Sequence, residues 1–245
     1  MAFRRLAMAT DVRAQLRSAL QCRRVFVIRH GNTGKAATDE ERQLTETAHS
    51  QIQRFREAHA GALAGVTNVF ASPVRRTMDT ARLLVGPEGP EPTPIEDLYF
   101  GGRRTEAMQV ADRELGYAPL RAMLDRYRGV YDDYSACMAA SLASVVAEGM
   151  RAGDVLIVNH AGYLSLLAME IFKAVAEPSA GADGECLLAP EQDVILDANI
   201  GEVCGFELYG ASDSAPRAIH LESPVATDFG AAACNDAFVA QGTAA

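Results

Sequence analysis

The chain has 245 residues, 49% of them hydrophobic, and a formal charge of −9. That length suits one well-buried α/β core, no apolar run is long enough to cross a membrane, and the charge has the wrong sign for a nucleic-acid surface. Cys22, Cys137, Cys186, Cys204 and Cys234 are scattered without the spacing of a disulfide framework or a metal site, as suits a reducing compartment.

Residues 1–24 set Arg4, Arg5, Arg13, Arg17, Arg23 and Arg24 against a single acid, Asp11, in an alanine-rich stretch. This composition fits an organelle transit peptide or a helix packed on the domain, so the expected location is the cytoplasm or an organelle matrix. Val25-Phe26-Val27-Ile28 is then a buried strand that runs straight into Arg29-His30-Gly31-Asn32-Thr33. Open α/β sheets place ligand sites at such strand ends. Thr45 is expected to cap a helix that reaches about Ala64.

A second strand spans Val66 to Phe70, and Ser72-Pro73 reads as a cap followed by proline at the first position of a helix reaching Leu84. Arg75 and Arg76 then fall in the first turn, where cations are disfavoured unless an anion is bound. A Pro/Gly/Glu-rich loop over 86–94 returns the chain to the next strand. Residues 105–150 lack strand signals and read as helices, with their tyrosines expected in packing. Val155-Leu156-Ile157-Val158 repeats the opening design, ending on Asn159-His160-Ala161-Gly162. An apolar helix from Tyr163 to Val175 and a loop over 177–190 follow. Val194-Ile195-Leu196 and Val203 to Tyr209 are expected as the final strands, and 211–245 as a loosely ordered tail.

Two histidines at the ends of core strands, with arginines between them in sequence, suit phosphoryl chemistry. A phosphate ester needs cations around its equatorial oxygens, a nucleophile in line with the leaving oxygen, and a proton for that oxygen. An unprotonated imidazole can attack phosphorus and split one displacement into two. No metal or other cofactor is expected, because no cluster has metal-ligand spacing and no Gly-x-x-x-x-Gly-Lys loop occurs.

Three segments together resemble the histidine phosphatase superfamily, also called phosphoglycerate mutase-like. They are Arg29-His30-Gly31-Asn32-Thr33, Ser72 through Arg76-Thr77 to Thr80-Ala81, and Val158-Asn159-His160-Ala161-Gly162, in family order over roughly residues 24 to 210. The resemblance implies an α/β fold, a three-layer α/β/α sandwich over 25–210 with a mostly parallel sheet and the 105–150 helical insertion covering the site. It implies His30 as nucleophile, with Arg29, Arg76 and His160 around the phosphoryl group and Asn32, Thr33 and Arg42 as further phosphate contacts. The expected activity is hydrolysis of a phosphate monoester or phosphoramidate, on a small phosphorylated substrate or a phosphoprotein.

Two departures bear on mechanism. Many members carry a glutamate acid in a Glu-x-x-x-Gly pattern, and here Asp97 stands at that spacing before Gly101. In the register of the short phosphohistidine-phosphatase-like branch, which the pattern resembles more closely, Leu98-Tyr99 is a structural pair and no dedicated acid exists. An asparagine common in mutases is missing near Ala36. A phosphomutase, or a phosphate-binding scaffold of the same fold without turnover, remains as the alternative.

Overall fold

A computed structural model describes residues 2–115, 118–176, 190–210 and 216–223. Six strands form one sheet in the order β3-β2-β4-β1-β5-β6. These are β1 (Arg24–Arg29), β2 (Val66–Ala71), β3 (Thr93–Pro94), β4 (Asp154–Asn159), β5 (Gly205–Tyr209) and β6 (Arg217–Leu221). The first four pair in parallel, and β5 and β6 extend the β1 edge antiparallel.

Alternation along the two central strands divides the core into two layers. Val25, Val27, Val155 and Ile157 face α1 (Ala2–Leu20), α6 (Leu120–Ala147) and α7 (Tyr163–Ala176) in one apolar cluster. Phe26, Ile28, Leu156 and Val158 face α2 (Glu46–Ala58), α3 (Ala60–Leu63) and α4 (Arg75–Val85) in the other. Because β1 and β4 are neighbours in parallel register, with Arg29 opposite Asn159, the residues that follow them emerge side by side.

The N-terminal segment is helical, and its second half is part of the core: Leu16 and Leu20 are fully buried. Its basic residues serve as clamps. Arg17 Nε donates to Ala174 O in the last turn of α7 (2.9 Å), and Arg13 pairs with Glu170 (3.3 Å). Arg24 closes the entry to β1 on Asp154 at 2.6 Å.

Several expectations need correction. The Val194-Ile195-Leu196 run is not a strand but part of α8 (Pro190–Asp197), where Glu191 and Asp193 suit the first turn and Gln192 and Ile195, three apart, are the buried pair. The last strand is instead β6, which buries Ala218 in one core layer and Leu221, on the opposite face, in the other. The 45–64 helix breaks at His59 into α2 and α3, although Thr45 Oγ1 does cap α2 by accepting from Ala48 N at 3.2 Å. The 105–150 insertion forms α5 (Glu106–Leu115) and α6, and Tyr131, Met138 and Leu142 join the core layer with α7. α6 bends at Tyr127, where the backbone leaves helical geometry. The expected tail beyond residue 223, the loop over 177–189, and Tyr117, Cys186 and Cys234 lie outside the described residues.

β5 approaches β1 so closely that a Cβ on Gly205 would run into Val27 O and Ile28 Cα. Gly205→Val is expected to lower stability by about 3 kcal/mol, read as a reduced urea midpoint at unchanged slope, since overpacking against backbone cannot be relieved by a rotamer change.

Candidate active site

Three parallel strands deliver their carboxyl ends to one spot. His30 follows β1, His160 follows β4 and Ser72 follows β2, and the ladder continues one step past each strand: His30 N donates to Asn159 O (3.0 Å) and Ser72 N to Val158 O (3.1 Å). Both imidazoles continue the Phe26-Ile28 and Leu156-Val158 rows, toward the layer that contains α4. Their rings meet edge to face at 5.1 Å between centroids, and both residues are buried.

Each ring is held through a nitrogen. His30 Nδ1 lies 2.8 Å from Gly31 O, so Nδ1 carries the proton and Nε2 keeps its lone pair. His160 Nδ1 lies 3.3 Å from Arg76 Nη2, which can only donate. The proton of His160 is thereby assigned to Nε2, which lies 2.8 Å from Ser72 Oγ. Burial, followed by the charge of Arg29, pushes the His30 imidazole down to about 3. Burial also holds His160 well below its ordinary value, reinforced by His30 and Arg76. Both rings are therefore neutral at pH 7, and His30 Nε2 is an available nucleophile.

Ser72 does not act as a helix cap. α4 begins at Arg75 with Val74 at the N-cap and no side-chain cap hydrogen bond, so Ser72 and Pro73 precede the helix. Ser72 Oγ serves His160 instead. Of the two arginines in the first turn, only Arg76 enters the site, with 3% of its side chain exposed. Arg75 points to solvent and pairs with Asp79 one turn on. Thr80 fixes α4 to the strand end, since its hydroxyl donates to Arg76 O (2.7 Å) and accepts from Gly31 N (3.1 Å). Gly31 has no room for a side chain, because a Cβ there would stand 2.9 Å from Ala48 Cβ of α2.

The remaining expected contacts separate into groups at the rings and groups that support them. Arg29 reaches across the other face of the sheet to Ile200 O (2.9 Å), and its charge acts on His30. Asn32 is a brace, since its amide nitrogen donates to Glu202 (2.9 Å) and its oxygen accepts from Thr45 Oγ1 (2.8 Å). Thr33 forms a backbone bridge to Leu44, closing the base of the 33–45 loop. Arg42 donates to Gly34 O (3.1 Å) and pairs with Asp39 (3.3 Å) within that loop.

Asp97 is displaced from the role its spacing suggested. Its carboxylate accepts from Ser141 Oγ of α6 and pairs with Arg103 at 2.6 Å. The Ser141 hydroxyl, with Arg103 and against the opposing effect of burial, holds it ionised below the usual carboxylate range. β3 ends at Pro94 and a 3₁₀ turn over Glu96–Leu98 rotates Asp97 toward α6. Tyr99, two residues on, faces the site, with its ring 5.3 Å from that of His160 and the Arg76 guanidinium 5.7 Å from its centroid. Its hydroxyl donates to Asp39 Oδ2 (2.9 Å) or Glu40 Oε1 (2.8 Å). Asp39 was not foreseen, and nothing in its sequence surroundings singles it out. Among the described residues, no group of His, Cys, Asp and Glu is placed to hold a metal ion.

Residues 25–100 match the family model of the histidine phosphatase superfamily (branch 1). No curated protein matches the chain in sequence. Among solved structures, it is similar to a phosphoserine phosphatase from Entamoeba histolytica, crystallised with 3-phosphoglyceric acid, at 14% identity and a TM-score of 0.51, covering 82% of this chain and 98% of that one. It is also similar to the alpha-ribazole phosphatase from Shigella flexneri at 18% identity and a TM-score of 0.51, covering 82% of this chain and 96% of that one. The six-stranded α/β sandwich of this chain is the fold of these neighbours, and the family match covers its first two strands with the residues that follow them.

The buried, neutral His30 has a measurable cost. The folded state binds fewer protons than the unfolded chain between pH 6.5, the ordinary histidine value, and about 3. Stability therefore falls as the pH is lowered through that window. His30→Gln is expected to gain about 1–2 kcal/mol on the wild type when urea melts at pH 5 are compared with melts at pH 7.

Proposed function

We propose that the chain hydrolyses a phosphate monoester or phosphoramidate through a phosphohistidine on His30. The observation that carries this reading is the anchored His30 ring: Nδ1 is held on Gly31 O, and the desolvated ring stays neutral, with Nε2 as its basic nitrogen. Phosphatases among the structural neighbours support the same class.

In the first half-reaction Nε2 attacks phosphorus, the P–Nε2 bond forms, and the P–O or P–N bond to the leaving group breaks. The leaving atom takes a proton from solvent water, and the phosphoryl group remains on His30. Arg29, Arg76 and the imidazole of His160 would meet the charge that spreads over the equatorial oxygens. Arg76 suits this role because its planar fork lies within the buried site at 3.3 Å from His160. In the second half-reaction water attacks phosphorus, the P–Nε2 bond breaks and returns the lone pair to Nε2, a proton of the attacking water passes to solvent, and inorganic phosphate leaves. Asp97 supplies no proton in this scheme, which favours substrates whose leaving group needs little protonation. A phosphoramidate such as phosphohistidine is of that kind.

Turnover of a panel of aryl phosphates, alkyl phosphates and a phosphohistidine peptide tests the reading, together with an alkali-quenched search for phosphoenzyme. Wild type is expected to form an acid-labile, base-stable phosphoenzyme. His30→Ala is expected to form none and to lose about 10³-fold or more in kcat/KM, while Asp97→Asn stays within about threefold of wild type. Full phosphoenzyme in His30→Ala would sink the mechanism. Transfer that requires a bisphosphate primer would make the protein a mutase, and vanadate binding without turnover on any substrate would make it a scaffold.

A further inference from the structure

Arg76 is a buried cation, and its fork is engaged by Asp39. Nη2 pairs with Asp39 Oδ2 at 2.7 Å, and Nη1 donates to the backbone O of the same residue. The same Nη2 is 3.3 Å from His160 Nδ1, so the Asp39 carboxylate lies one guanidinium nitrogen away from the imidazole pair. A phosphoryl oxygen bound by Arg76 next to His30 would have to occupy that place. Tyr99 Oη and Arg42 Nη1 also hold the carboxylate, at 2.9 and 3.3 Å.

We infer that Asp39 is an internal competitor for the phosphoryl group, holding Arg76 until a substrate anion displaces it and thereby setting substrate affinity. This rests on the reading of Arg76 as a phosphoryl ligand given above. A buried guanidinium requires an anion, and a carboxylate reproduces the planar, acceptor-only edge that a phosphoryl group presents. The match is incomplete, because Arg76 Nε is buried with no hydrogen-bond partner among the described residues. A phosphoryl dianion brings two charges and three acceptor oxygens against the single charge of Asp39. The competitor is also free to leave. The Asp39 side chain is 36% exposed, and it stands in the 34–43 stretch, which has no helix or strand and is closed at its base by the Thr33–Leu44 bridge. Substrate affinity is then lowered by the fraction of molecules in which Asp39 occupies the fork.

The sign of one mutational effect separates this role from simple support of Arg76. A supporting residue, once removed, leaves Arg76 misplaced and weakens anion binding, whereas removal of a competitor strengthens it. Inorganic phosphate and orthovanadate would be titrated calorimetrically into the full chain as wild type, Asp39→Asn and Asp39→Ala, with thermal melts to verify folding. Both variants are expected to bind about tenfold more tightly than wild type and to lower KM for an aryl phosphate by a similar factor. In an Arg76→Ala background the Asp39 substitutions should bring no gain. Equal or weaker binding by the folded variants would overturn the inference, as would failure of both variants to fold, which would make Asp39 a structural residue. Phosphate binding to wild type without the gain rejects the competitor alone, while the absence of phosphate binding in every protein, wild type included, rejects the phosphoryl site itself.

Discussion

The hydrogen bond from His30 N to Asn159 O, one step beyond the last paired residues of β1 and β4, is the constraint on which the site depends. Two parallel strands that are neighbours in space but lie about half the chain apart in sequence must stay in register for their next residues to meet. A slip of one residue would turn either imidazole to the opposite face of the sheet. The register is protected by full burial on both sides, since Val25, Phe26, Val27 and Ile28 have no alternative placement that keeps four apolar side chains dry. The imidazole pair is therefore as rigid as the core beneath it, and its 5.1 Å ring separation is inherited from strand spacing.

Around that rigid pair the polar groups form a graded shell. The innermost groups are neutral and desolvated, His30 and His160, with Arg76 fixing the tautomer of the second and Ser72 meeting its Nε2. Arg76 adds a buried positive charge, and Asp39 and Tyr99 lead from it toward solvent. Burial is the leading influence on both imidazoles and on the Tyr99 phenol, and in each case it disfavours the charged form. A site that keeps its imidazoles unprotonated by drying them must bring its positive charge from guanidinium groups, which stay ionised when buried.

What could be read from sequence follows a physical division. The strand ends, the histidines and Arg76 were legible because apolar runs ending in charged residues have few explanations, and because the three motifs occur in family order. Thr45 was legible as a cap because its hydroxyl acts on a neighbour three residues away. Asp97 misled because linear spacing to Gly101 says nothing of the 3₁₀ turn that redirects it. Val194 to Leu196 misled because three apolar residues fit either period. Asp39 and Ser72 were out of reach in the roles they take, since their partners lie 37 and 88 residues away and only the fold joins them.

The α1 clamp has a consequence for how the chain is made. Leu16 and Leu20 lie under α6 and α7, and Arg13 and Arg17 fasten to residues 170 and 174. α1 thus leaves the ribosome well before its partners α6 and α7. At about 5–20 residues per second, some 150 residues of further synthesis hold the two apart for about 8–30 s. Through that interval α1 has an apolar stripe and no core to cover it, and a helix of this length is marginal in water without packing. The layer containing α2 and α4 waits as well, because β4 lies between β1 and β2 in the sheet and begins only at Asp154, so both faces of the sandwich close late in synthesis. Any factor that shields Leu16 and Leu20 during synthesis would have its opportunity in that interval.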